Sequence, residues 1–133
     1  MKKLILPLII VCFGFAACKK TDNKCTAKET SVVASAAEIQ HIQEYLNDSG
    51  IVAVQHPSGI FYKIDAPGNN TKPNICSYVT VRYVGKFFNG RVFDRTPGTS
   101  STAFELSNLI GGWHKGLPQI GIGGKITLYI PPS

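Results

Sequence analysis

Side chains that commonly carry enzyme chemistry are sparse in this chain. The three histidines, His41, His56 and His114, lie far apart. None has the i, i+4 partner of a helical zinc site, so no metal is expected and each should sit on the surface or in a loop. Past residue 50 the carboxylates are Asp65, Asp94 and Glu105, and none neighbours another, which argues against a paired-carboxylate hydrolase. No G-x-S-x-G elbow for a serine nucleophile is present. GIGGKIT at 121–127 has the Gly and Lys of a phosphate loop, but Ile126 replaces the required Ser or Thr and a strand follows instead of a helix; it reads as a tight turn. What the chain does have is rings: Tyr78, Tyr83, Phe87, Phe88, Phe93, Phe104, Trp113 and Tyr129. A small sheet with one short helix needs fewer to fill its core. An apolar pocket with few polar groups is the chemistry they could provide, and such pockets bind apolar ligands.

The elements that must position these rings are mostly strands. GIFYKID (59–65) is a short strand, and APGNNTKPN (66–74) is a loop. SYVTVRYVGKF (77–87) alternates, with Val79, Val81 and Tyr83 on one face. Asn89-Gly90 between hydrophobic runs predicts a hairpin whose two turn positions both take positive φ. RTPGTSSTA (95–103) is a polar loop, FELSNLI (104–110) resumes the apolar pattern, GWHKGLP (112–118) allows one or two helical turns, and GKITLYI (124–130) is a strand. Upstream, Ser35 and Glu38 have capping-box spacing. Ile39, Ile42 and Leu46 then form one apolar face, and Gly50 ends the helix. That face packs on the following domain or builds a homodimer through residues 35–48. The pattern predicts an α+β fold.

The N-terminus is of another kind. MKK is followed by the apolar run LILPLIIVCFGFAA and then Cys18. Fourteen residues are too few for a span of about 30 Å, so residues 1–17 read as a signal peptide. Ala16-Ala17-Cys18 is similar to the lipobox of bacterial lipoproteins, which implies lipid on Cys18 and a membrane anchor. Residues 18–34 read as a flexible polar tether. The net charge of +6 is concentrated near this start and otherwise dispersed, which fits an anionic membrane surface and offers no stripe for nucleic acid. Cys25 and Cys76 form a disulfide or remain two free thiols; no cysteine spacing suits zinc.

VTVRYVGKFFNGRVFD, then FELSNLIGGWHKGLPQIGIGGKITLYIPP, resembles the FKBP-type peptidyl-prolyl cis-trans isomerases over about residues 77–132. The resemblance implies an antiparallel sheet wrapped around one short helix, preceded here by the amphipathic helix of residues 35–50, with residues 51–133 as the isomerase domain. It implies isomerisation of Xaa-Pro bonds in proline-containing clients, no cofactor, macrolide-type pocket ligands, and a place in the envelope of a Gram-negative bacterium, at the outer membrane or periplasmic face. Position by position, Tyr83 matches the pocket tyrosine, Phe93 and Asp94 the Phe-Asp pair after the hairpin, and Phe104 the aromatic opening the next strand. Leu109 and Ile110 match the aliphatic pair before the helix, and Trp113 the indole of the pocket floor. A family arginine that pairs with the aspartate has no counterpart. Family members continue after I-P-P with a loop and a last strand within the sheet. The expectation is therefore of a C-terminally incomplete domain, lacking its last strand, that folds poorly and isomerises weakly.

Overall fold

The computed structural model describes residues 25–133. The signal segment 1–17, Cys18 and the tether as far as residue 24 lie outside the described residues. Helix α1 runs Ala36–Asp48, and both halves of its capping box form: the Glu38 N–H donates to Ser35 Oγ at 3.3 Å and the Ser35 N–H to Glu38 Oε2 at 2.9 Å. Gly50, at φ +64°, turns the chain out of the helix. The apolar face packs on its own domain. Ile42 and Leu46 are buried with Phe61, and Ile39, Tyr45, Ile51, Ala53 and Tyr129 surround them. Burying one such aliphatic side chain contributes about 1.5–3 kcal/mol, enough to hold α1 against the sheet.

Seven short strands follow: β1 (Val54–Gln55), β2 (Phe61–Ala66), β3 (Tyr78–Val81), β4 (Val84–Lys86), β5 (Val92–Arg95), β6 (Thr102–Glu105) and β7 (Lys125–Tyr129). All pairings are antiparallel. The expected single sheet is instead three ladders among the described residues, ordered β1-β2-β7, β3-β6 and β4-β5. One cause is local. The predicted strand 77–87 breaks at Arg82–Tyr83, where Thr96 engages the Tyr83 backbone, so β3 pairs with β6 while β4 turns to pair with β5. The hairpin tip also differs from expectation. Only Gly90 has positive φ, at +85°. The Gly90 N–H donates to the Phe87 carbonyl and the Phe87 N–H to the Arg91 carbonyl, both at 2.9 Å. This is the longer hairpin loop, a type I turn closed by a left-handed glycine, rather than the two-residue turn.

Between β6 and β7 lies α2 (Gly111–Gly116), extended by a 3₁₀ turn over Leu117–Gln119. Six residues containing three glycines form no stable helix alone; packing must hold α2. A Cβ on Gly112 would come within 2.6 Å of Ile130 Cδ1, and one on Gly116 within 2.6 Å of Leu128 Cδ1. These two glycines, four apart, form the face that lies directly on the β7 side.

The described part of the expected flexible tether is pinned. Cys25 is joined to Cys76 with the Cα atoms 5.9 Å apart. Closing a separation of 51 residues removes about 4 kcal/mol of unfolded-chain entropy in the loop-entropy description. Lys115 donates to Glu29 at 2.6 Å, a contact that holds the Glu29 carboxyl below its usual pKa. The Ala34 N–H donates to the Ser58 carbonyl at 3.0 Å. Residues 25–34 stay against the domain because these three links tie them at both ends and in the middle. No helix among the described residues is long and apolar enough to cross a membrane.

Gly112→Ala tests the α2 packing. Alanine favours a helix by about 1 kcal/mol, but overpacking against Ile130 costs about 1–3 kcal/mol. The expected result in urea denaturation is a net loss on the order of 1 kcal/mol; a variant as stable as the parent would show that α2 does not need this close approach.

Candidate active site: an aromatic box closed by a tyrosine–aspartate bond

Three rings from three places in the chain meet edge to face. Tyr83 lies at the break between β3 and β4, Phe104 on β6, and Trp113 on α2. The Tyr83 and Trp113 centroids are 5.3 Å apart with planes at 85°. Phe104 lies 6.1 Å from Tyr83 and 6.2 Å from Trp113. Edge-to-face geometry sets the positive edge of one ring on the negative face of the next. All three are half-buried, so the box presents apolar surface without closing over it.

Asp94, on β5, completes it. The Tyr83 hydroxyl donates to Asp94 Oδ2 at 2.5 Å, while the other carboxylate oxygen accepts the Arg95 N–H at 2.8 Å. Losing its proton would set the phenolate against this carboxylate, so the Tyr83 phenol is held above its ordinary pKa, chiefly by that hydrogen bond. The tyrosine is a fixed donor, pinned at its tip by Asp94.

Its backbone is pinned too. Thr96 is 6% exposed. Its Oγ1 accepts the Tyr83 N–H at 3.3 Å, and its N–H donates to the Tyr83 carbonyl at 3.1 Å. By sequence, Thr96 falls in the polar loop 95–103. The available signal was Pro97, which pushes the preceding residue into extended backbone and so lets it continue the line of β5 towards Tyr83.

Of the other expected site residues, Phe93 packs its ring away from these three. Between the β4–β5 pairs Gly85↔Asp94 and Lys86↔Val92, Phe93 is the extra residue of a β-bulge, which re-aims a side chain. Its ring lies over Gly85, 4.9 Å from Phe87, and it is 61% exposed. Leu109 is half-buried. Ile110 is 60% exposed, and its carbonyl accepts the first α2 hydrogen bond, from Trp113 at 2.9 Å. The histidine expectation is corrected at His114, which is 8% exposed on α2 with neither ring nitrogen bonded. It is buried because α2 is packed on several sides. Among the described residues, no three His, Cys, Asp or Glu side chains gather as a metal site would require.

Residues 69–133 match the family model described as FKBP-type peptidyl-prolyl cis-trans isomerase. The probable FKBP-type peptidyl-prolyl cis-trans isomerase FkpA of Neisseria meningitidis is 39% identical over 77 residues, covering 57% of this chain and 28% of the relative. The outer membrane protein MIP of Legionella longbeachae is 37% identical over 83 residues, 62% of this chain and 35% of the relative. The chain thus spans about a third of the length of these curated relatives. Among solved structures, FkpA from Escherichia coli matches with a TM-score of 0.63 at 30% identity, over 73% of this chain and 45% of that one. A peptidyl-prolyl cis-trans isomerase from Pseudomonas syringae matches with a TM-score of 0.57 at 26% identity, over 74% of each. The match over residues 69–133 spans the strands, the bulged hairpin and the helix that together build the ring box, and over that stretch the chain is similar to the FKBP-type peptidyl-prolyl cis-trans isomerases.

Proposed function

We propose that this protein is a peptidyl-prolyl cis-trans isomerase acting on Xaa-Pro bonds of exported polypeptides. The observation that carries this reading is the box of Tyr83, Phe104 and Trp113 with Asp94 bound to the tyrosine hydroxyl. Rotation about an Xaa-Pro bond takes about 10–100 s uncatalysed, because twisting destroys an amide resonance worth roughly 18–20 kcal/mol in the barrier. The planar amide is charge-separated and well solvated by water; the twisted one is less polar. An apolar site that displaces that water disfavours the planar form relative to the twisted one. Trp113 offers a flat floor for the proline ring, and Tyr83 and Phe104 form the walls. Asp94 keeps Tyr83 oriented and protonated. This reaction calls for no general acid or base, nucleophile or metal.

Phe93, Leu109 and Ile110 are proposed to contact the segments flanking the proline, since the first and last lie exposed beside the box elements. Macrolide-type ligands are proposed to compete for the box. We place the protein in a Gram-negative envelope, with lipid on Cys18 as its anchor. The 1–18 sequence pattern supports this, as does the similarity to the outer membrane protein MIP of Legionella longbeachae. A dimer through helix 35–48 is not part of the proposal, because Ile42 and Leu46 are already buried in their own domain.

A protease-coupled assay on an Ala-Leu-Pro-Phe peptide tests the reading. Trp113→Ala removes the floor and is expected to lower kcat/KM by about 2–3 kcal/mol, roughly 30- to 150-fold; activity unchanged in a folded variant would refute the assignment. Asp94→Ala removes one orienting bond and is expected to lower it about two- to tenfold. In that variant the Tyr83 phenol should titrate at lower pH than in the parent, read by NMR of labelled tyrosine. The sign follows from the raised pKa: the Tyr83–Asp94 contribution to stability is present below the unfolded phenol value and is lost as pH rises through the folded one.

A further inference from the structure

Helix α2 carries Trp113 and is gripped on more than one side. Gly112 and Gly116 meet the β7 side, Trp113 meets the ring box, and Gly111 and Lys115, four apart on a third face, meet residues 29–30. A Cβ on Gly111 would come within 2.7 Å of Thr30 Cγ2, and Lys115 Nζ bonds Glu29 Oε2 at 2.6 Å. The segment that makes these contacts has little else to hold it. Val32 and Val33 are exposed and only Ala34 is buried. Cavities of about 220 and 190 Å³ lie along it, both lined by Thr30, Val32, Ser58 and Lys115, so it bridges open space rather than filling it.

A part-exposed ion pair is weak alone, because water competes and two long side chains must be ordered. The covalent tie at Cys25 changes this by keeping Glu29 near Lys115 at high effective concentration. Cys76, the other end of the tie, precedes β3 by two residues, so the bridge links the segment to the strand leading to Tyr83.

We propose that residues 25–34 are a redox-locked strap, in which the Cys25–Cys76 disulfide holds Glu29 and Thr30 on the Gly111–Lys115 face of α2 and so fixes the orientation of Trp113. A dithiol reductant opens it. Its thiolate attacks Cys25 Sγ, the more exposed of the two sulfurs' residues; the S–S bond breaks and Cys76 leaves as a thiolate that takes up a proton. The second thiol of the reductant then resolves the mixed disulfide, freeing Cys25 and departing as a disulfide itself. Two electrons and two protons pass to the protein. The strap then detaches and α2 loses one of its supports. The link to catalysis rests on the isomerase reading above; the link to Trp113 does not.

Trp113 is the chain's single tryptophan, so acrylamide quenching of its fluorescence reports on α2 directly. The test compares the full chain oxidised and treated with dithiothreitol, with circular dichroism recorded and the thiol state of Cys25 and Cys76 mapped by mass spectrometry. Reduction is expected to raise the quenching constant about twofold, as local opening exposes the indole, with circular dichroism unchanged. The Cys25→Ser/Cys76→Ser double variant should sit at the reduced value and ignore the reductant. Unchanged quenching once both thiols are mapped as free overturns the proposal. Where reduction unfolds the chain, Glu29→Gln/Thr30→Ala with the disulfide intact decides: raised quenching supports the strap, and parental quenching overturns it. Raised quenching with an unaltered isomerisation rate overturns the coupling to the site. Absence of isomerisation in the oxidised parent instead overturns the functional reading, leaving the strap to be decided by fluorescence.

Discussion

Everything at the ring box depends on a six-residue helix that cannot stand by itself. Helix α2 has three glycines among its six residues, which weakens it as a helix and at the same time removes the side chains that would keep it away from its neighbours. The close approach of Gly112 and Gly116 to Ile130 and Leu128 puts the helix axis near the β7 side of the domain. From there Trp113 reaches Tyr83 and Phe104. Larger residues at those two positions would make a better helix in the wrong place. The local loss in propensity is offset by dispersion contacts that only the folded domain supplies.

A second constraint sits at Tyr83, where an otherwise continuous strand breaks. Thr96 holds its backbone and Asp94 its hydroxyl, so one residue is fixed at both ends by two residues of the same returning chain. Those two residues come from β5 and its exit. The β4–β5 hairpin is steadied in turn from outside the sheet. Phe88 near its tip stacks on Tyr45 of α1 at 4.2 Å with planes 8° apart, and Tyr45 also meets Tyr129 at the end of β7. Helix α1 is therefore a structural support of the hairpin that presents Asp94, as well as a cap on the core around Phe61.

Much of this was legible in the residues. The capping box at Ser35 and Glu38, the apolar face through Ile42 and Leu46, the hairpin at Asn89-Gly90 and the strand ending at Tyr129 all rest on local rules. Side-chain reach and backbone propensity act over a few residues, so a few residues suffice to announce them. The family motifs also named Tyr83, Asp94, Phe104 and Trp113, which the structure brings together. Phe93 was named by the same route, yet the bulge beside it carries its ring onto Gly85 and Phe87. A bulge depends on which residues pair across the ladder, and one strand read alone does not record its partner. The same blindness hid Thr96, whose hydrogen bonds are made to a residue 13 positions away, and His114, whose burial follows from the crowding of α2.

The sequence by itself determined the elements and the chemical character of the site: an α+β chain with more rings than its core requires and no reactive group among them. Tertiary structure decided where those rings point. It split one predicted strand at Tyr83, turned Phe93 out of the box, laid residues 25–34 across α2, and converted three glycines from apparent flexibility into contact surfaces. The physical reason is range. Helix caps, turns and amphipathic faces are set by interactions between near neighbours, whereas the ring box depends on surfaces that meet only after the chain has closed loops of tens of residues.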